Sequence, residues 1–205
     1  MSERPERLRI KICGVTHEDH VDAAAESGAD LVGIVLAPQS PRFVGLDRGD
    51  ELARRAQSRG LEAVALVVDP DDALLASLEA FDRVQFHGEE PCARLADTPR
   101  PSIKGFAFSP AALEGWLACP HADWLLLDGP RGGGGIAFDH AGLAPLVAGI
   151  EKPWLVAGGL SGANVGPVVR ALRPFGVDVS SGVERSRGVK DVGLIRAFCR
   201  AAREA

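Results

Sequence analysis

What most constrains this chain is a rhythm. A short apolar run, a polar or glycine turn and a helix-patterned stretch recur about eight times in 205 residues. Residues 8–13 alternate, with Ile10 and Ile12 on one face and Lys11 and Cys13 on the other. The following helix opens on Glu18 and Asp19, where its dipole favours acids, and stops at Gly28. Further strands are expected at 30–36, 63–68, 83–87, 103–108, 124–127, 153–157 and 176–180. Helices are expected at 47–58, 70–80, from 89, and at 110–117, 139–148, 163–172 and 190–203.

Strands alternating with helices make a parallel sheet, and eight such units close into a (β/α)8 barrel. A doubly wound open sheet usually carries Gly-x-Gly-x-x-Gly after its first strand, which Cys13-Gly14-Val15-Thr16 lacks. The four glycines at 132–135 are not followed by Lys-Ser/Thr, so they do not form a P-loop. The expectation is a single (β/α)8 TIM barrel, one catalytic domain over 1–205, with no linker or second domain.

Composition narrows the partners. A net charge of -5 argues against broad electrostatic nucleic-acid binding, while leaving room for an anionic small molecule held by a few local donors. No apolar run is long enough to cross a bilayer, and the charged first nine residues have no signal-peptide core. Cys13, Cys92, Cys119 and Cys199 form no C-x-x-C pair, so four free thiols in a reducing cytoplasm are expected, with no metal and no cofactor.

In a barrel the chemistry sits at the strands' C-terminal ends. Those ends carry Cys13, the loop with Arg42, His87, Asp128, Gly158-Gly159 and Ser180-Ser181-Gly182. Asp128 is the carboxylate on which the apolar run 124–127 abruptly ends. The turns after strands seven and eight are where many barrels hold a phosphate, since small residues let backbone N–H groups approach an anion. A buried Cys is usually an inert thiol, and Cys92, Cys119 and Cys199 are read that way. By parity Lys11 and Asp178 face each other inside the barrel, as a structural ion pair.

Six segments in order resemble phosphoribosylanthranilate isomerase. They are Lys11–Thr16, Ser40-Pro41-Arg42, Gln85-Phe86-His87-Gly88, Leu127-Asp128 with its glycine loop and Phe138-Asp139, Ala157–Leu160, and Asp178–Glu184. The resemblance implies an enzyme of tryptophan biosynthesis that performs an Amadori rearrangement of N-(5-phosphoribosyl)anthranilate. It implies that Asp128 is the general acid on the ribose ring oxygen and Cys13 the general base at C2. Arg42 would face the anthranilate carboxylate, and Gly158, Gly159, Ser181 and Gly182 would hold the phosphate. His87 is read as a pocket-lining substrate contact.

Those roles suit the residue types. An aldose-to-ketose rearrangement needs a proton donor and a proton acceptor in one pocket. A thiol is a weak base unless its thiolate is favoured, and an arginine fork matches a planar carboxylate. The loop 129–135 is expected to be a lid. Gly134 and His140 stand where the family usually carries Ser or Thr and Trp. Two alternatives remain at this point: a bis-phosphate isomerase of the histidine pathway, and a non-catalytic barrel that binds a metabolite or enzyme. A monomer or a homodimer fits equally.

Overall fold

The structure is a computed structural model that describes residues 7–129 and 141–205. Eight parallel strands close into a barrel in sequence order: β1 (Arg9–Cys13), β2 (Leu31–Val35), β3 (Glu62–Val67), β4 (Arg83–Phe86), β5 (Ser102–Ala107), β6 (Trp124–Asp128), β7 (Trp154–Val156) and β8 (Gly176–Val179). The first and last strands pair, with Lys11 opposite Asp178. The helices are α1 (Glu18–Glu26), α2 (Leu46–Ser58), α3 (Asp72–Ala76), α4 (Pro110–Leu117), α5 (Ala144–Val147), α6 (Val165–Leu172) and α7 (Val192–Arg203).

Strand alternation explains how one sequence serves two cores. Ile10, Ile12, Val84, Phe86, Leu125 and Leu127 pack outward with buried faces of the helices. Their neighbours Leu31, Val64, Ile103, Trp124, Leu126 and Leu155 fill the barrel interior. Both faces of every strand are therefore covered, as parallel sheets require. At the floor Arg83 pairs with Glu62 at 2.6 Å and stacks on Trp124, its guanidinium carbon 3.9 Å from the ring centroid.

The structure departs from expectation in five places, one of them α5, which spans only Ala144–Val147 after a 3₁₀ turn at Ala141–Leu143 rather than the expected 139–148. The segment after β4 is a 3₁₀ turn, Cys92–Asp97, rather than a helix opened by Glu89 and Glu90. Glu90 is buried instead and meets Lys104 at 2.6 Å. It also accepts the N–H groups of Asp69 and Gly88, so it closes a turn rather than starting a helix. Helix α3 stops at Ala76, short of residue 80. The segment 184–190 is a hairpin, β9 (Glu184–Ser186) and β10 (Val189–Lys190), and α7 begins only after Asp191 caps the N–H of Leu194. Finally, the expectation of four free thiols is wrong: Cys92 and Cys119 form a disulfide, their Cα atoms 5.8 Å apart, leaving Cys13 and Cys199 free and buried. Twenty-seven residues separate the pair in sequence, but adjacent βα units place their outer layers side by side. Of the described residues, no helix is long and apolar enough to cross a membrane.

Candidate active site

Cys13 ends β1, Asp128 ends β6 and His87 follows β4, so three strands deliver three chemically different groups to one rim. Together with Arg42, Asp178 and Ser180 they line a cavity of about 240 Å³. Neighbouring glycines make the room. A Cβ on Gly33 would lie 2.8 Å from the Cys13 sulfur, and one on Gly105 would lie 2.2 Å from His87 Nδ1. Substitution at either position would force the functional side chain to move.

Lys11 and Asp178 pair as expected, Nζ to Oδ1 at 2.7 Å, with the lysine fully buried. Burial pulls the Lys11 ammonium down, but Asp178 and Cys13 outweigh it and hold the group above its ordinary range. For Cys13 burial wins: it pushes the thiol up against the opposing pull of Lys11 and Lys190, and Asp178 adds to the rise. Both groups are therefore pushed toward their protonated forms.

Arg42 leans over the strand-one turn, its Cδ 2.5 Å from where a Cβ on Gly14 would stand, and that glycine has φ +77°. Its Nε and Nη2 donate to the two oxygens of Glu184 at 2.6 and 3.0 Å. Lys190 donates to the same carboxylate at 2.8 Å and to the carbonyl of Ser180 at 2.8 Å. Burial alone would raise the Glu184 carboxyl, but Arg42 and Lys190 bring it down to about 2. The sequence alone gives no role to Glu184, to Lys190 or to Arg187, which also lines the cavity. Glu184 closes the Asp178–Glu184 motif, which is the signal that could have found it, while Lys190 falls at the start of the expected helix 190–203.

Asp128 Oδ1 accepts the N–H of Gly129 at 2.8 Å, while Oδ2 lies 3.6 Å from His87 Nε2. Gly158 and Gly159 adopt φ +80° and +69°, and a Cβ on Gly158 would lie 2.5 Å from the nitrogen of Gly129. The turn after β7 is thus pressed against the base of Asp128, in a conformation that favours glycine. A Cβ on Gly182 would lie 1.8 Å from the carbonyl oxygen of Leu160, so the turns after β7 and β8 pack on each other. Asn164 ties the first turn, accepting the N–H of Ser161 at 2.7 Å and donating to the carbonyl of Gly159 at 2.9 Å. Of the expected site residues, Cys13, Arg42, His87 and Asp128 line the cavity; Gly158, Gly159, Ser181 and Gly182 do not, and form the adjoining turns. The expected lid beyond Gly129, with Gly134 and His140, lies outside the described residues.

Comparison with known proteins accords with this geometry. The family model for N-(5'phosphoribosyl)anthranilate (PRA) isomerase matches residues 10–201. An N-(5'-phosphoribosyl)anthranilate isomerase of Bradyrhizobium sp. (strain ORS 278) is 43% identical, the match covering 97% of this chain and 96% of the relative. A solved phosphoribosyl anthranilate isomerase, in complex with reduced 1-(o-carboxyphenylamino)-1-deoxyribulose 5-phosphate, superposes with a TM-score of 0.83 at 30% identity, covering 97% of this chain and 100% of that one. A structure of monomers generated from the dimeric enzyme of Thermotoga maritima gives 0.82 at 30% identity, with coverage of 97% and 100%. With a match running from β1 to α7 and a barrel shared throughout, this chain belongs to the phosphoribosylanthranilate isomerase family.

Proposed function

We propose that this chain converts N-(5-phosphoribosyl)anthranilate to 1-(2-carboxyphenylamino)-1-deoxyribulose 5-phosphate, the Amadori step of tryptophan biosynthesis, by general acid–base catalysis at the strand ends. The observation that carries the mechanism is that Cys13 and Asp128, from opposite parts of the barrel, line one cavity with Arg42 and His87. Asp128 gives its proton to the ring oxygen as the C1–O bond breaks, and the anilino nitrogen's lone pair forms the imine cation. Cys13, as thiolate, takes the C2 proton, and the electrons of that C–H bond neutralise the cation to give an enolamine. Protonation at C1, with loss of the proton on the C2 hydroxyl, then yields the amino-ketose. The resting thiol must first release its own proton to solvent, and the cation formed by ring opening is the charge that favours this.

Glu184 occupies the Nε edge of the Arg42 guanidinium, which leaves its Nη1 side for the anthranilate carboxylate. The phosphate belongs at the paired turns of Gly158–Gly159 and Ser181–Gly182, where backbone approaches without side chains in the way. No metal or organic cofactor enters this reading, because both proton transfers have side-chain groups. The cytoplasm is its expected location and a monomer or homodimer its expected form. The Cys92–Cys119 bond is the feature that stands against a strongly reducing setting, and a mass measurement under non-reducing conditions tests it.

The test is turnover of N-(5-phosphoribosyl)anthranilate by the purified chain, with and without inorganic phosphate and with and without a chelator. Product formation inhibited competitively by phosphate and indifferent to the chelator is expected. A folded protein that produces no ketose sinks the activity, and turnover restored only by a divalent ion sinks the cofactor-free mechanism.

A further inference from the structure

A line of polar groups runs from β4 to Asp128 that the acid–base scheme leaves unused. Gln85 is 1% exposed, and its Nε2 lies 3.3 Å from Nδ1 of His87. Its Oε1 is buried with no hydrogen-bond partner among the described residues. On the far side of the ring, Nε2 of His87 faces Asp128 Oδ2 at 3.6 Å. Gly105 leaves the slot in which the imidazole lies. We propose that Gln85 is a positioning residue: its amide holds His87 as the neutral tautomer with Nδ1 bare and Nε2 protonated, so that Nε2–H faces Asp128. The consequence for catalysis rests on the reading of Asp128 as the acid.

The orientation of the amide decides the tautomer. With Nε2 of Gln85 toward the ring, it donates to Nδ1, and one carbonyl oxygen is orphaned. Reversed, the oxygen would accept from Nδ1–H, and a buried NH₂ group would have to find acceptors for two donors. Orphaned buried N–H groups are rarer than under-satisfied carbonyls, so the first arrangement prevails. The imidazole is then a donor toward Asp128.

A donor there acts where charge develops. Asp128 is neutral before it protonates the substrate and anionic afterwards, so an Nε2–H aimed at its outer oxygen strengthens as the proton leaves. The resting 3.6 Å is beyond hydrogen-bond length, and such contacts tighten in the substrate complex. The gain therefore falls on kcat rather than on substrate affinity, which phosphate and carboxylate contacts set elsewhere. Gln85 also lines the cavity but makes no hydrogen bond to Asp128, so it acts on the acid through the ring.

The experiment is ¹⁵N NMR of histidine-labelled wild type, Gln85→Leu and Gln85→Glu, with steady-state kinetics of each. In wild type the His87 Nδ1 should resonate as an unprotonated acceptor and Nε2 as protonated; this needs no variant to fold. Gln85→Glu should accept from Nδ1–H and switch the tautomer, leaving Nε2 bare toward Asp128, and kcat should fall at least about tenfold, toward the ~10²–10⁴-fold of direct acid–base groups, with KM within about twofold. Gln85→Leu should lower kcat less, again with KM little changed. A wild-type spectrum with Nδ1 protonated overturns the proposal, as does Gln85→Glu with an unchanged spectrum and full kcat. The Asp128 reading fails separately: full turnover by Asp128→Asn would remove it, while the spectrum would still decide what Gln85 does to His87.

Discussion

Arg42 and Glu184 stand 142 residues apart in sequence and meet edge to edge, with Nε and Nη2 of one on the two carboxylate oxygens of the other. Arg42 comes from the loop after β2 and Glu184 from the hairpin after β8, so the pair ties the two loops flanking the Cys13 strand. Gly188 completes the join: its N–H donates to Glu184 at 3.0 Å, and a Cβ there would lie 2.6 Å from the carbonyl of Pro41. The arginine fork is held before any ligand arrives, which reduces the ordering that binding must do.

Glu184→Gln should therefore weaken substrate binding more than turnover, raising KM about tenfold or more while kcat changes less. It also leaves Arg42 and Lys190 facing each other without an anion, and breaking such a pair costs about 3–5 kcal/mol. The pH dependence has a definite sign. The folded-state carboxyl sits at about 2, below its ordinary 4.5, so its ion pairs stabilise the fold above about 4.5 and this is lost as pH falls toward about 2. Thermal midpoints of wild type and Glu184→Gln between those limits should converge as pH drops. Parallel curves would show that Glu184 is not held low.

Gly105→Ala is a probe of the His87 slot. The new methyl would lie 2.2 Å from Nδ1 in the present arrangement, so the ring must leave its present place beside Gln85. Loss of kcat with substrate affinity retained is expected, alongside overpacking of about 1–3 kcal/mol. A crystal structure of the variant with His87 unmoved would refute the steric argument.

How much of this was legible beforehand depends on the kind of information each feature needs. The barrel was readable because apolar runs such as Leu125–Leu127 and Leu31–Val35 are written locally, and eight of them leave few other architectures. That Cys13, His87 and Asp128 would meet at one rim was readable because strand ends follow from the strands, and all three line one cavity. Parity also placed Lys11 against Asp178, a contact 167 residues apart. By contrast, Glu89 and Glu90 look like the acidic first turn of a helix, and only the buried Lys104 across the layer shows why Glu90 turns inward. The disulfide of Cys92 and Cys119 was hidden for the same reason, since neither residue carries a local mark of the other. The β9–β10 hairpin was missed because Lys190 borders a strongly amphipathic helix and was absorbed into it.

Cys199 carries a prediction about alkaline stability. It is fully buried on α7, and burial pushes its thiol up to about 11 from 9.0. A group held above its unfolded value stabilises fully below that value and loses its contribution as pH rises through the folded one. Stability should thus decline from about pH 9 toward 11, by up to about 3 kcal/mol at 1.36 kcal/mol per unit. Cys13, also raised by burial, adds to the same trend. In denaturant titrations Cys199→Ala should start somewhat less stable and decline less steeply. An equal slope in wild type and variant would rule Cys199 out as the source.

Cys13 sets the last and sharpest expectation. Because burial outweighs the nearby cations, its thiolate is scarce at neutral pH, and the rate limb that depends on it should extend above the ordinary thiol value of 9.0. Cys13→Ser keeps the shape and replaces the thiol by a far weaker acid, so kcat should fall by at least about 10²-fold and that limb should vanish from any residual rate. Asp128→Asn should fall as far but keep the Cys13 limb, because its amide cannot deliver the proton to the ring oxygen. Product binding should survive in both, since neither residue holds the phosphate or the carboxylate in the proposed scheme. The two variants combined should cost far less than the product of the single losses if acid and base serve one committed sequence of steps. Near-normal kcat in Cys13→Ser across the pH range would make the thiol structural. The base would then have to be sought at His87, whose bare nitrogen, in the tautomer argued above, faces Gln85 and would have to be freed first.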